Sequence, residues 1–227
     1  MSVNVAIIPA RGGSKGISRK NLIDLNGKPM IEYTIKSALN SKSIDEVYVS
    51  TEDAEIKNIS LGLGVKVIDR PKELASDDAS TYSVLNHAYN ILCNKIKIRY
   101  LVCLQPTSPL RTYEHIDNAF KLVEKDMGTI ISVTEDKRYR WQKNKDGVIT
   151  PKFTSRRPRQ KINDIYIENG AIYICNVSVF VDDNDKLGMG INSNKKVILF
   201  KMKDLESIEI DTELDLIVTE TILSKNE

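Results

Sequence analysis

The sequence predicts an α/β fold: a mainly parallel sheet with flanking helices and a β-rich insertion late in the chain. Three observations predict it. From residue 3 to residue 133, short apolar runs alternate with stretches of helical period in the order β-α-β-α-β-α-β-α-β, and such alternation builds parallel strands joined through helices. Between Glu135 and about Lys195 no helical period is sustained. Finally, the glycine-rich and polar stretches fall directly after apolar runs, at the strand ends where open α/β sheets bind ligands.

Each element has its own reason. Residues 3–8 are mostly apolar and read as a buried strand. Asn26-Gly27-Lys28-Pro29 is a turn, and Pro29 suits the first turn of a helix, where a missing N–H costs nothing. Ile31, Ile35, Ala38 and Leu39 then share one helical face. Val47-Tyr48-Val49 is the second strand, and Thr51 or Asp53 is placed to cap the helix that follows. Residues 65–68 form the third strand, stopped by Arg70-Pro71. A polar loop leads into a helix with Val84, Ala88, Ile91 and Leu92 on one face. Residues 100–104 are nearly all apolar, as for a strand covered on both sides. A helix with Ile116, Phe120 and Val123 in register precedes the strand at 130–133. Within 135–195, Asp146-Gly147 marks a hairpin turn, and "ENGAIYICNV" and "KKVILFKM" look like strands. "IEIDTELDLIVTETIL" reads as a strand ending at Asp211 and a helix bearing Leu214, Ile217, Val218 and Ile222. No linker, repeat or low-complexity segment divides the chain. Residues 1–227 therefore form a single domain, with 135–195 as an inserted arm.

Composition excludes several function classes. Lys and Arg number 33 against 31 Asp and Glu, a net charge of +2, which argues against nucleic-acid binding through bulk charge. Cations that matter must act locally. Cys93, Cys103 and Cys175 lie inside apolar runs without metal-like spacing and read as reduced, buried thiols. No apolar run approaches the length of about 18 residues that a membrane helix needs. No cationic segment leads into an apolar signal core. The expected setting is the cytoplasm, away from membranes.

Four stretches at predicted strand ends carry the chemistry. In "IIPARGGSKGISRKN", Gly12, Gly13 and Gly16 let backbone N–H groups come close to an anion, while Arg11, Lys15, Arg19 and Lys20 supply charge. A polyphosphate meets both demands. The order of residues is neither a GxxxxGK[ST] P-loop nor a GxGxxG dinucleotide loop, which disfavours a NAD-dependent dehydrogenase. In "IEID", Glu209 and Asp211 are two apart, so a strand would put both carboxylates on one face, where hard oxygens could hold Mg²⁺; solvent-facing carboxylates or a helix cap are the plainer alternatives. "QPTSPLR" is stiffened by two prolines and offers hydroxyls, an amide and Arg111. "LASDDAST" is the fourth. His87 and His115 lie inside helices and read as structural. "SRRPRQK", residues 155–161, is a local basic cluster that is either a solvated face or a surface for an anionic substrate.

Taken together, "IIPARGGSKGISRKN", "RPKELASDDAS", "LQPTSPLRT", "PRQK", "ENGAIYI" and "IEIDTELDL" resemble, in order and over nearly the whole chain, the acylneuraminate cytidylyltransferases, or CMP-sialic acid synthetases. The resemblance implies a Rossmann-like fold of the nucleotide-diphospho-sugar transferase type. It also implies a homodimer whose inserted arm reaches the partner's site, and an Mg²⁺-dependent reaction of CTP with a nine-carbon 2-keto sugar acid that yields a CMP-sugar and pyrophosphate. Carried over residue by residue, it implies that Arg11, Lys15 and Lys20 hold the β- and γ-phosphates beside the Gly12-Gly13 backbone, with Asn21, Ser80 and Thr81 on the nucleotide. Gln105, Arg111, Arg159, Asn169 and Gly170 are implied for the sugar acid, since an arginine fork suits a carboxylate. Arg11, Lys15 and Asp211 are the implied catalytic residues. The metal pair of the family is commonly two aspartates; here it is Glu209 and Asp211, which leaves Asp211 the firmer ligand. A catalytically decayed nucleotide-binding sensor of the same fold is the alternative that this departure keeps open. The sugar is N-acetylneuraminate or a legionaminate- or pseudaminate-type acid.

Overall fold

The computed structural model describes residues 2–14, 16–153, 155–156, 158, 165–181, 189, 191 and 195–225. Strand β1 (Val3–Pro9) leads into the glycine-rich loop. A two-residue hairpin, β2 (Asp24–Leu25) and β3 (Lys28–Pro29), turns the chain into helix α1 (Met30–Asn40). Asn26 and Gly27 make the turn with φ of 51° and 76°, the left-handed values that Asn and Gly tolerate best. Pro29 stands one place earlier than expected, as the residue before the first helical turn. Then follow β4 (Glu46–Thr51), α2 (Ala54–Gly62), β5 (Lys66–Asp69), α3 (Thr81–Leu92), β6 (Ile98–Cys103), α4 (Tyr113–Phe120) and β7 (Met127–Asp136), matching the expected alternation. Asp53 caps α2, its Oδ1 accepting from the N–H groups of Glu55 and Ile56. Helix α4 stops at Phe120, and Val123 packs against the core from the turn beyond it.

The seven-stranded sheet has the order β11-β7-β10-β6-β1-β4-β5, where β10 is Ile165–Asn176 and β11 is Lys196–Lys201. Strands β1, β4, β5 and β6 run parallel, as do β7 and β11; β10 is antiparallel to both its neighbours. Alternate side chains of each strand feed two apolar layers. Ala6 and Ile8 pack with Ile31 and Ile35 of α1, Ile56 of α2 and Ile116 of α4. Val5 and Ile7 pack with Leu85 and Ala88 of α3 and Phe180 of the short helix α5 (Val177–Phe180). From β1 the chain passes outward through β4 to β5 and then returns to the other side of β1 as β6. Such a reversal opens a crevice at the carboxyl ends of the strands.

Two expectations about the later chain need correction. The stretch 135–195 does not all stand outside the core: β10 lies between β6 and β7, and Ala171, Ile172, Ile174 and Cys175 are fully buried, covered on both faces of the sheet. Among the described residues, what stands off is the hairpin β8 (Trp141–Lys143) and β9 (Ile149–Pro151), turned at Gly147 with φ 82°. Residues 208–211 form no strand. They are anchored by a backbone bond from Ile210 N–H to the Thr107 carbonyl (2.8 Å) and lead into helix α6 (Glu213–Ser224). Cys103 and Cys175 are buried free thiols and Cys93 is half-buried; burial pushes the Cys103 thiol up to about 12.

Candidate functional site

A cleft of about 290 Å³ opens at the crevice beside β1, lined by Arg11, Gly13, Lys20, Asn21, Arg70, Asp77, Thr81, Gln105, Thr107, Glu209 and Asp211, among others. All four stretches singled out in the sequence meet there. A larger cleft, about 800 Å³, lies past the ends of β7 and β11. Its charged side chains are already engaged with one another: Glu135 with Lys137 and Lys201, Asp136 with Arg138, and Thr134 with Asp204. What sets the smaller cleft apart is position: it lies where the strand order reverses, and the glycine-rich loop, the polar loop before α3, the proline-stiffened loop and the carboxylate pair all line it.

The glycine-rich loop is held from several sides. Asn21 is buried and its Nδ2 donates to the Arg11 carbonyl (2.9 Å). The Gly12 N–H donates to Glu52 Oε1 (2.8 Å). A Cβ on Gly12 would lie 2.5 Å from Asp53 Oδ2, and one on Gly16 would lie 2.9 Å from the Asp211 carbonyl oxygen, whereas Gly13 has nothing within 4 Å. Two of the three glycines are therefore required by close packing within the protein, and Gly13 alone leaves its surroundings open to a ligand. Arg11 reaches across to Asp77 (2.8 Å) and the Ala75 carbonyl (3.4 Å). Lys20 Nζ donates to Asp211 Oδ1 (2.7 Å) and the Ile210 carbonyl (2.9 Å). Lys15 lies outside the described residues, as does Arg159.

The carboxylate pair sits opposite. Thr107 Oγ1 donates to Glu209 Oε1 (3.1 Å). Burial, and then the neighbouring Asp211, hold the Glu209 carboxyl above its ordinary range, because both disfavour a second negative charge there. Among the described residues no group of three His, Cys, Asp or Glu side chains gathers as a metal site. Two carboxylates nonetheless suit Mg²⁺, which commonly takes one or two of them and completes its shell with substrate phosphates and water.

The other predicted residues divide. Thr81 lines the cleft, while Ser80 caps α3, its hydroxyl accepting from Ser83 N–H (3.0 Å). Gln105 lines the cleft, and Gly170 (φ 66°) packs so tightly that a Cβ would lie 2.5 Å from Gln105 Oε1 and 3.1 Å from Glu209 Oε1. Asn169 is buried, accepting from Ser132 Oγ (2.6 Å) and donating to Ser207 Oγ (2.8 Å), so it braces the fold behind the cleft. Arg111 needs correction as a fork for a substrate carboxylate. It is only 1% exposed, absent from the cleft wall, and donates through Nη1 to the carbonyls of Gln105 (3.3 Å) and Ala171 (3.1 Å). Both histidines lie in helices as expected, and His115 works structurally: Nδ1 accepts from Thr112 N–H (3.0 Å) and Nε2 faces Glu206 (3.3 Å).

Sequence reasoning missed Arg70. Read only as a strand stop, it is buried in the cleft floor, donating to the Ser50 carbonyl (2.6 Å) and Ser50 Oγ (3.2 Å). Burial draws its guanidinium down to about 10, so it is still charged at neutral pH. The signal was available: it directly follows β5, at the same strand ends as the other site residues.

The cytidylyltransferase family model matches residues 5–187. The chain belongs to the cytidylyltransferase family. It is 33% identical over 228 residues to the N-acylneuraminate cytidylyltransferase of Escherichia coli O18:K1:H7 (strain RS218 / NMEC), covering 97% of this chain and 52% of that protein. It is 42% identical over 135 residues to the pseudaminic acid cytidylyltransferase of Campylobacter jejuni serotype O:2, covering 58% of each. The chain thus spans about half the length of these curated relatives. Among solved structures, a CMP:2-keto-3-deoxy-manno-octonic acid synthetase complexed with CTP superposes over 100% of both chains with TM-score 0.73 at 18% identity, which shows the shared fold. Among the described residues no helix is long and apolar enough to cross a membrane.

Proposed function

We propose that the chain transfers CMP from CTP to the anomeric 2-hydroxyl of a nonulosonic acid, N-acetylneuraminate or a legionaminate- or pseudaminate-type sugar, giving CMP-sugar and pyrophosphate. The observation that carries this reading is the union, within one cleft, of the cationic loop after β1 and the carboxylate pair before α6, joined by Lys20 and Asp211 (2.7 Å). The names of the relatives support it.

In the reaction the sugar hydroxyl oxygen forms a bond to the α-phosphorus. The α–β phosphoanhydride bond breaks, and pyrophosphate departs with the electron pair while the hydroxyl proton passes to solvent. The residues act by alignment and by neutralising charge as it develops. Arg11, Lys20 and Arg70 surround the triphosphate, with the Gly13 backbone against it, and Lys15 is a further candidate for its phosphates. Gln105 and Gly170 form the wall toward the sugar, and Arg159 is a further candidate for its carboxylate. Glu209 and Asp211 are the residues that would hold Mg²⁺, which when bound supplies positive charge beside the phosphates.

The hairpin β8–β9 is read as the dimerisation element. Its strand residues are all exposed, with Trp141 at 54% and Ile149 at 63%. Two strands alone are marginally stable in water, and a second copy would cover that apolar surface. Sedimentation of the protein and of Trp141→Asp tests it: a dimer that Trp141→Asp splits is expected, and a wild-type monomer overturns it.

The function is tested by pyrophosphate release from CTP with a panel of these sugars, with and without Mg²⁺. Release with at least one sugar, lost on chelation, is the expected result. Calorimetric CTP binding without release on any sugar would favour the decayed sensor. Absence of CTP binding would overturn both.

A further inference from the structure

We infer that Arg111 is a positioning residue: from beneath the cleft it fixes the Gln105–Gly170–Glu209 contact without touching substrate. The register of the sheet shows where it acts. Strands β6 and β10 pair antiparallel, with Tyr173 opposite Cys103. Continuing that register by two residues would set Gln105 opposite Ala171, yet the ladder stops short of them. The Arg111 guanidinium occupies that place instead, its Nη1 donating to both carbonyls, Gln105 (3.3 Å) and Ala171 (3.1 Å). One side chain stands in for a missing rung, and it does so where β10 departs from regular pairing.

That departure is itself part of the site. On its other edge β10 pairs Glu168 with Val133 and Tyr173 with Ile131, so the four residues 169–172 of β10 stand against Ser132 alone of β7. Bulges of this kind re-aim side chains beside functional clefts. The excess length carries Asn169, braced to Ser132 and Ser207, and Gly170, whose left-handed φ of 66° brings its backbone against Gln105 and Glu209. Ser108 Oγ donates to the Asn169 carbonyl (3.3 Å), tying the proline-stiffened loop to the same bulge. Arg111 thus joins the two segments whose relative position sets the gap between Gln105 and Glu209.

A role in folding alone is a poor account of this residue. Nε and Nη2 of Arg111 are buried without a hydrogen-bond partner, and it forms no ion pair among the described residues. Burying an uncompensated charge is costly, and an apolar side chain of similar volume commonly serves a fold as well or better. What an apolar side chain could not do is hold two carbonyls together.

Four proteins test this: wild type, Arg111→Met, Gln105→Ala and the double variant. The kinetic readings rest on the proposed function. Arg111→Met is expected to lower kcat/KM for the sugar at saturating CTP at least tenfold while its calorimetric CTP affinity stays within threefold. The double variant is expected to be no worse than Gln105→Ala within twofold, because Arg111 acts through Gln105. Arg111→Lys, able to reach one carbonyl, recovers part of the loss. Losses that multiply in the double variant, or CTP affinity that falls in step with kcat/KM, would overturn the inference. A second reading is independent of activity: amide exchange in Arg111→Met should quicken in 105–108 and 169–172 together and stay unchanged in β4. Unchanged exchange in those two segments overturns the inference even if wild type turns over no sugar, an outcome that would separately remove the proposed function. Should Arg111→Met not fold, Arg111→Lys takes its place in every reading, with smaller effects in the same direction.

Discussion

Lys20 and Asp211 are 191 residues apart in the chain and 2.7 Å apart in the structure. Their ion pair closes one side of the cleft, joining the loop after β1 to the segment before α6. Gly16 makes the approach possible, because a Cβ there would lie 2.9 Å from the Asp211 carbonyl oxygen. The pair is half exposed, with Lys20 at 13% and Asp211 at 64%, so it adds little to stability. Its value lies in setting a cation and an anion where a phosphate and a metal ion would meet.

Removing the cations should therefore weaken nucleotide binding more than it weakens the fold. Lys20→Ala and Arg11→Ala are each expected to raise the calorimetric Kd for CTP at least tenfold, since one charge-assisted contact contributes roughly 1.5–3 kcal/mol. Melting temperatures should stay within a few degrees of wild type. Wild-type affinity in both variants would remove the loop from the nucleotide site.

The glycines separate packing from ligand approach. Gly16→Ala must displace backbone at Asp211, so both stability and CTP affinity are expected to fall, the former by about 1–3 kcal/mol. Gly13→Ala meets nothing within 4 Å and should change stability by less than about 0.5 kcal/mol. Its CTP affinity should nonetheless drop severalfold, because the added methyl occupies the space a phosphate would use. Urea unfolding and calorimetry on the two variants give the comparison; equal CTP affinity in Gly13→Ala and wild type would contradict the assigned path of the triphosphate.

The sheet was legible because period and turn chemistry are local. Asp53 as a cap, the Asn26-Gly27 turn and the alternation of elements up to β7 all follow from spacing. The position of β10 was not, since its insertion between β6 and β7 depends on pairing with strands dozens of residues away, and its bulge interrupts the alternation that would have marked it as a core strand. At the site, Arg11, Lys20 and Gln105 were legible as polar residues just past strand ends, whereas Asp211 reaches the cleft from a segment that is not the strand its spacing suggested. Arg111 misled because its position beside a polar loop suggests exposure, whereas the turn it ends directs it inward. Arg70 was overlooked because the following proline accounts for the strand end by itself. Nor could the sequence show that Gly12 and Gly16 owe their small size to Asp53 and Asp211 rather than to a ligand.

Asp136 offers a test at the base of the hairpin. Its carboxylate accepts from Arg138 Nε (2.8 Å), Arg138 N–H (2.9 Å) and Arg140 Nη2 (2.8 Å). The Arg138 side chain foremost holds its pKa down to about 2, against an ordinary 3.8. A depressed carboxyl contributes stability that is present above the ordinary value and lost as pH falls toward the folded one. Asp136→Asn should therefore be less stable than wild type at pH 6, and the difference should shrink between about pH 4 and pH 2. A constant difference across that window, measured by chemical unfolding, would show that the ion pairs are not its source.

Glu209 gives the opposite sign. Burial and the charge of Asp211 raise its pKa above 4.5, so the folded protein binds that proton more tightly than the unfolded chain. Stability from this group is full below pH 4.5 and is lost as pH rises through the folded value. Glu209→Gln removes the buried charge while keeping the shape, and it should melt at a higher temperature than wild type at pH 7, with the gain vanishing below pH 4.5. The same substitution replaces a charged carboxylate ligand with a neutral amide oxygen, so Mg²⁺ affinity should fall at least tenfold. A ligand that must shed a proton also releases it on metal binding. At pH values above 4.5, calorimetry in two buffers of different ionisation heat should detect more proton release on Mg²⁺ binding in wild type than in Glu209→Gln. Stabilisation without loss of Mg²⁺ affinity would mean that Glu209 is not a ligand of the ion. Glu209→Asp, with its shorter stem, separates charge from reach: it keeps the proton release if the carboxylate itself is the ligand, and loses affinity only to the extent that the oxygen falls short of the ion.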